Sequence, residues 1–168
     1  MKNREEFGKL YQEYYKKGIG AEIGVESGFN ALDIAKEWKG KILCVDNWNI
    51  EPVYKVAIEN LKGDKFVITK GLSVDVAKDI KDGSLDWVYI DAEHDYQSVK
   101  DDLEAWYPKV RDGGVISGHD YCEIVCLGGV IKAIDEFAEK NGYKANVTTE
   151  DGWKQHKMDV PSWWFIKR

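Results

Sequence analysis

The chain has 168 residues, the size of one ordinary domain, and its 24 basic and 30 acidic residues give a net charge of −6. This balance argues against nucleic acid and anionic membrane surfaces as partners, because both are normally bound through a basic excess. No apolar run approaches the roughly 18–20 residues that span a bilayer, and the N-terminus lacks the apolar stretch of a signal peptide. Together these features predict a cytoplasmic protein with a single domain, residues 1–168.

Apolar side chains at helical spacing open the chain and predict a helix within residues 1–18. Short apolar strands then alternate with amphipathic helices through residues 19–143. Strands are predicted at 21–25, 41–45, 66–69, 85–90 and 115–117, and helices at 31–38, 52–62, 73–81, 96–110 and 130–138. Two further strand candidates, 146–149 and 163–167, have no helix between them, which predicts a terminal hairpin within residues 144–168.

This alternation predicts the α/β class, with a Rossmann-like, doubly wound and mostly parallel sheet of seven strands that ends in an antiparallel hairpin. Asn30 and Ser73 precede two of the helical patterns, and both are predicted N-caps. In such sheets, ligands bind beyond the carboxyl ends of the strands, where the strand order reverses. The residues that follow each strand are therefore the candidate site.

A glycine-rich loop, Gly24-Val-Glu-Ser-Gly28, follows the first strand and precedes a helix, so its backbone N–H groups could face a ligand. Asp46 ends the second strand and is placed to accept hydrogen bonds from ribose hydroxyls. Glu22 and Glu26 flank Gly24, where carboxylates would repel a pyrophosphate but tolerate ammonium and sulfonium groups. The alternative is that the glycines only make a turn and that Asp46 only caps a loop.

A second group of polar residues follows the fourth and fifth strands and comprises Asp91, His94, His119 and Asp120. Neighbouring strands lie about 4.8 Å apart, so Asp91 and Asp120 could share a divalent ion through oxygen ligands. His94 could reach a substrate hydroxyl beside such an ion, and the ordinary pKa of histidine suits a general base. The alternative is that the acids are solvated or accept bonds from helix N-termini, and that the histidine anchors a loop.

Four stretches of the chain resemble class I S-adenosylmethionine-dependent methyltransferases, and the likeness covers roughly residues 20–140. They are Glu22–Gly28, Cys44–Asp46, Val88–Tyr96 and Gly113–Tyr121. The chain is most similar to the small macrocin O-methyltransferase-like group and more distantly resembles catechol O-methyltransferase.

The resemblance implies S-adenosylmethionine as the cofactor. The acid that opens the glycine motif would lie under the methionine part, the loop would pack against it, and the acid after the second strand would bind the ribose. The next two residues would lie near the adenosine, and the residues after the third strand would border the adenine. The implied cofactor residues are Glu22, Gly24, Val25, Gly28, Asp46, Asn47, Trp48, Leu72, Ser73 and Asp91.

The resemblance also implies a place for Mg²⁺ or another divalent cation. In metal-dependent members the ligands come after the fourth and fifth strands, which here means Asp91 with His119 and Asp120. His119 departs from the Asp-Asn pair of catechol-type enzymes, which leaves open which of the pair binds. The base of such enzymes lies three residues after the first ligand, at His94. The implied reaction is O-methylation of a hydroxyl on a small molecule or sugar.

Two alternatives remain open at this stage. One is a nicotinamide-dependent oxidoreductase, although Glu22, Glu26 and the missing third glycine count against it. The other is a non-catalytic nucleotide-binding or interaction module of the same fold. The short chain leaves little room for a lid, which predicts a small or carrier-presented substrate, or a partner chain that completes the site in a homo-oligomer.

Overall fold

The computed structural model describes residues 1–15, 18–123, 128–149 and 160–168. Within these ranges the helices are α1 (Phe7–Tyr14), α2 (Phe29–Glu37), α3 (Glu51–Asn60), α4 (Ser73–Lys78), α5 (Tyr96–Trp106) and α6 (Gly129–Lys140). The strands are β1 (Ile19–Ile23), β2 (Lys41–Asp46), β3 (Phe66–Lys70), β4 (Leu85–Ile90), β5 (Val110–Gly118), β6 (Asn146–Val147) and β7 (Trp163–Ile166). Short 3₁₀ turns, Arg4–Glu6 and Tyr107–Lys109, precede α1 and follow α5. None of these helices is long and apolar enough to cross a membrane.

The seven strands form one sheet in the order β3-β2-β1-β4-β5-β7-β6. Strands β1 to β5 pair in parallel, and β7 runs antiparallel between β5 and β6. β4 is buried along its whole length, as expected for a central parallel strand that is covered on both faces. The strand order reverses between β1 and β4. The predicted doubly wound fold with a terminal antiparallel pair is confirmed.

The core lies on both faces of the sheet, with α4, α5 and α6 on one face and α1, α2 and α3 on the other. α1 is fixed to the sheet by aromatic packing, because the Tyr11 ring stacks on Trp87 with the ring centroids 4.2 Å apart. The Tyr11 hydroxyl also hydrogen-bonds to the Ser117 hydroxyl over 2.7 Å. The beginning of the chain is therefore held against β4 and β5.

Both predicted helix caps are wrong. Gly28, in a left-handed conformation, is the N-cap of α2, and the Asn30 amide donates instead to Oε1 of Glu22. Leu72 is the N-cap of α4, and the Ser73 hydroxyl donates to Asp102. In each case the polar side chain is hydrogen-bonded to a buried carboxyl group, so the side chain does not cap its own helix.

The structure also moves two predicted boundaries between α5 and β5. The helix ends at Trp106 rather than near Val110, because Pro108 lacks the N–H that would continue the helical hydrogen bonds. β5 begins at Val110 rather than Val115, and its pairing with β4 shifts register between Leu85 and Trp87.

Candidate active site

A cavity of about 610 Å³ opens at the carboxyl ends of β1, β2 and β4, beside the point where the strand order reverses. Its volume is typical of a pocket for a small molecule or cofactor. Eight of the ten predicted cofactor residues line it, namely Glu22, Gly24, Val25, Asp46, Asn47, Leu72, Ser73 and Asp91. Gly28 and Trp48 lie outside the lining.

Asp46 organises the loops on one side of the cavity. Its Oδ2 accepts hydrogen bonds from the backbone N–H groups of Val25 and Glu26, at 2.9 and 2.8 Å, and its Oδ1 accepts from the N–H of Trp48 at 2.7 Å. Glu26 and Trp48 both have positive φ, and the Trp48 indole N–H donates to the Glu26 carbonyl. The amides of Val25 and Glu26 are therefore bound to Asp46, which corrects the expectation that they face a ligand.

The two glycines of the loop have different environments, although both have φ near +84°. At Gly24 a Cβ would overlap the carbonyl oxygen of Asp91, because the ends of β1 and β4 come into direct backbone contact there. At Gly28 a Cβ would meet the side chain of Leu61. Gly24 therefore shapes the cavity wall, whereas Gly28 shapes the packing behind it.

Glu22 presents an incompletely satisfied carboxylate to the cavity. The residue is 1% exposed, and its Oε1 accepts from the amide of Asn30 at 2.8 Å. Its Oε2 is buried without a hydrogen-bond partner among the described residues. Burial raises the pKa of this carboxyl to about 8. A buried polar atom of this kind suits a ligand that brings a hydrogen-bond donor or a positive charge.

The cavity lining around Ser73 includes a carboxyl group that was not predicted as a site residue, that of Asp102. The Ser73 hydroxyl donates to Oδ1 of Asp102 and accepts from the indole N–H of Trp106 at 2.8 Å. Asp102 is 4% exposed, and burial raises its pKa to about 6. The sequence does indicate that Asp102 is buried, because it lies three residues after Val99 and four before Trp106, on the apolar stripe of α5.

The structure brings Asp91, His94, His119 and Asp120 together. The Nε2 atom of His94 lies 2.9 Å from Oδ2 of Asp120 and 3.7 Å from Oδ1 of Asp91. The Nδ1 atom of His119 lies 3.3 Å from Oδ2 of Asp120 and 3.7 Å from Oδ1 of Asp91. One ligand atom from each of Asp91, His94 and Asp120 lies within 4.8 Å of the others. Mixed oxygen and imidazole donors of this kind fit a divalent cation.

The electrostatics of this acid–histidine cluster follow from its short distances. The nearby carboxylate of Asp120, followed by that of Asp91, raises the pKa of His94 to about 10. Burial alone would raise the pKa of Asp120, but the adjacent imidazoles of His119 and His94 outweigh burial and hold that pKa well below its ordinary range. The two carboxylates that face His94 therefore favour its protonated, imidazolium form.

Arg4 also lines the cavity, although nothing in the sequence pattern placed it there. It belongs to the 3₁₀ turn before α1, and its Nη1 atom lies 3.8 Å from Oδ2 of Asp91. Sequence reasoning missed Arg4 because the packing of α1 against the sheet brings it to β4, and an isolated arginine carries no local signal of that contact.

A family model described as a methyltransferase domain matches residues 21–121, the part of the chain that builds most of this cavity. The chain belongs to this methyltransferase domain family. A search of curated proteins found no match.

Solved structures of methyltransferases share the fold over nearly the whole chain. One from Staphylococcus aureus, proposed to be a caffeoyl-CoA O-methyltransferase, is 18% identical, with a TM-score of 0.77 over 98% of this chain and 82% of that one. The Bacillus cereus O-methyltransferase in complex with S-adenosylhomocysteine is 19% identical, with a TM-score of 0.71 over 98% and 80%. The O-methyltransferase TomG from Streptomyces achromogenes, involved in tomaymycin synthesis and bound to S-adenosylmethionine, is 12% identical, with a TM-score of 0.77 over 98% and 79%.

Proposed function

We propose that the chain is an S-adenosylmethionine-dependent methyltransferase that methylates a hydroxyl group on a small molecule or sugar. One observation carries the proposal: a single cavity is lined by the buried carboxyl group of Glu22 and by Asp91 and His94 of the acid–histidine cluster. The first suits a cationic cofactor, and the second suits the activation of a hydroxyl. Family membership and the cofactors named for two structural neighbours support this reading.

Four of the predicted cofactor residues have roles that their surroundings allow. Glu22 would accept from the ammonium group of the methionine part, and Leu72 and Ser73 would border the adenine. A carboxylate offers about four lone-pair positions, so Asp46, which already accepts three backbone N–H groups, retains one for a ribose hydroxyl. When bound, the cofactor supplies an electrophilic methyl group on a sulfonium centre.

The catalytic assignment rests on His94. Its Nε2 would take the proton of the acceptor hydroxyl, and alignment of that oxygen with the methyl group would contribute much of the rate. Asp91 and Asp120, with His119, would hold Mg²⁺ or another divalent cation, which would lower the pKa of a bound hydroxyl. A cation held by Asp91 and Asp120 would weaken their stabilisation of the proton on His94, because these are the two carboxylates that face it.

The first experiment is a thermal-shift titration with S-adenosylhomocysteine and, separately, NAD⁺, each with and without Mg²⁺. A ligand at 100 times its Kd adds about 2.7 kcal/mol, which corresponds to roughly 5–10 °C for a domain of this size. We expect a shift with S-adenosylhomocysteine and none with NAD⁺. A shift with NAD⁺ alone would favour the oxidoreductase alternative, and no shift with either would favour a non-catalytic module.

A second experiment tests the base and the metal separately, with methyl transfer measured on a panel of hydroxylated acceptors. His94→Gln is expected to lower turnover by about 10²–10⁴-fold with the Kd of S-adenosylhomocysteine unchanged. An unchanged rate in this variant would remove His94 from the mechanism. Full activity in excess chelator would exclude a dissociable metal.

The remaining expectations extend this proposal beyond the site. The acidic chain is expected to act in the cytoplasm, without nucleic acid or membrane as a partner. A homo-oligomer that completes the acceptor site is a further prediction, and sedimentation analysis with and without S-adenosylhomocysteine would test it.

A further inference from the structure

The exposed apolar side chains are concentrated near one edge of the sheet. Among the described residues, ten large apolar side chains are exposed, and six of them lie between residues 50 and 74. This segment contains α3, the edge strand β3 and the beginning of α4. The six residues are Ile50, Val56, Ile58, Val67, Leu72 and Val74. Such a concentration is typical of a surface that another protein covers.

β3 also presents an open edge, because β2 is its one neighbour among the described strands. Residues whose main chain bonds to β2 alternate along β3 with residues whose main chain points away from the sheet. The bonded residues are the odd-numbered ones, since the Lys65 carbonyl accepts from Ile42 and the Gly71 N–H donates to Asp46. The main-chain groups that point away are those of Phe66, Ile68 and Lys70.

Most of these outward groups have no hydrogen-bond partner in the described part of the chain. The N–H of Phe66 donates to the Gly63 carbonyl at 3.4 Å, and the other outward groups have no such contact there. An edge of this kind is a template for a further strand, since its N–H and C=O groups are already in the geometry of a ladder. The edge is therefore both apolar and ready to pair.

The charges at the two ends of β3 favour a second copy of the same edge in the antiparallel direction. Asp64 lies just before the strand and Lys70 is its last residue, and both are exposed. Antiparallel pairing centred on Val67 would place Asp64 of each copy beside Lys70 of the other. Phe66 would then face Ile68, and Val67 would face its own counterpart. Parallel pairing in register would instead bring like charges together at both ends.

We propose that the chain forms a two-fold symmetric dimer in which two β3 edges pair antiparallel about Val67. The two seven-stranded sheets would join into one, and the symmetric contact would use both open edges at once. Leu72 and Val74 also line the cavity, so the second copy would lie beside its opening. The inference gives the proposed homo-oligomer a contact surface, and it depends on neither the cofactor nor the metal.

The test is sedimentation equilibrium of the full chain over a range of concentrations. Val67→Lys and Val67→Glu each place two like charges directly opposite one another at the symmetry axis, at a position that is 43% exposed. Each variant is expected to raise the Kd of the dimer at least about tenfold. An equimolar mixture of the two variants brings a cation opposite a carboxylate and should restore the dimer. A purely structural effect at this position would not be reversed by mixing.

Two further variants complete the design. Ile19→Lys is the matched control, because Ile19 is a strand residue with the same exposed fraction of 43% on β1, away from this edge. It should dimerise as the wild type does. Lys70→Glu leaves the apolar contacts in place and sets a carboxylate beside Asp64 of the second copy, so it should weaken the dimer even if the Val67 variants fold poorly.

The proposal is overturned if the wild type is monomeric at all concentrations up to about 100 μM. It is equally overturned if a dimer persists unchanged in Lys70→Glu and in the folded Val67 variants, because another surface would then hold the copies together. A monomeric wild type that binds S-adenosylhomocysteine refutes this interface and leaves the proposed function intact. A dimer that responds as expected but does not bind S-adenosylhomocysteine refutes the proposed function and leaves the interface.

Discussion

Replacement of Asp46 by alanine tests whether this carboxylate holds the loops beside the cavity in place. The change removes the acceptor of three backbone N–H groups, those of Val25, Glu26 and Trp48. A hydrogen bond to a charged group contributes about 1.5–3 kcal/mol, and water can reach the partly exposed Asp46 to replace some of them. We expect a loss of about 3 kcal/mol in the free energy of unfolding, or roughly 6–12 °C in Tm.

The assay is urea unfolding of the ligand-free protein, followed by tryptophan fluorescence. Asp46→Asn should lose about half as much, because the amide oxygen keeps one acceptor while its NH₂ group cannot accept at all. Asn47→Ala is the matched control, because Asn47 lines the same cavity and, within the described part of the chain, its side chain accepts only from the exposed N–H of Asn49. If Asp46→Ala unfolds at the same urea concentration as the wild type but binds S-adenosylhomocysteine more weakly, Asp46 does not hold the loops in place. It would then be a ligand contact alone.

Three further predictions concern the cavity walls. Gly24→Ala should abolish S-adenosylhomocysteine binding, because the added Cβ overlaps the carbonyl oxygen of Asp91, whereas Gly63→Ala meets no atom within 4 Å and should retain binding in the same titration. The raised pKa of Glu22 implies stability that is present below pH 4.5 and is lost as the pH rises through about 8, so the free energy of unfolding of the ligand-free protein should fall between pH 5 and pH 9. Glu22→Gln should flatten that profile in urea titrations, and an equal slope in both proteins would contradict the assignment. Ser73→Ala should lower the free energy of unfolding by about 1–2 kcal/mol, because it deprives the Trp106 indole N–H of its acceptor, and a Tm equal to that of the wild type would exclude this hydrogen bond as a stabilising contact.

The fold was predictable because its strands are short, apolar and regularly spaced. The apolar runs of β2 and β4 end at Val45 and Ile90, so Asp46 and Asp91 could be placed at the same sheet edge from sequence alone. The reversal of strand order between β1 and β4 then brings these ends to one cavity.

The two wrong cap predictions concern side chains that have both a local hydrogen-bond partner and one that the fold brings close. Asn30 and Ser73 are good caps by residue type, yet the buried carboxylates of Glu22 and Asp102 outcompete the local N–H groups. Arg4 reaches the cavity only because α1 docks on strands that are distant in sequence. Such contacts depend on tertiary packing, which periodicity and capping preferences do not encode.

The anchoring of α1 has a consequence for the order of folding. Tyr11 is hydrogen-bonded to Ser117, 106 residues further along the chain, and the N–H of Thr149 donates to the carbonyl of Met1. Contacts of such long sequence separation close large loops and form slowly. The wall that carries Arg4 is therefore completed after β5 has joined the sheet. In a refolding experiment, recovery of ligand affinity should lag behind the recovery of helical circular dichroism.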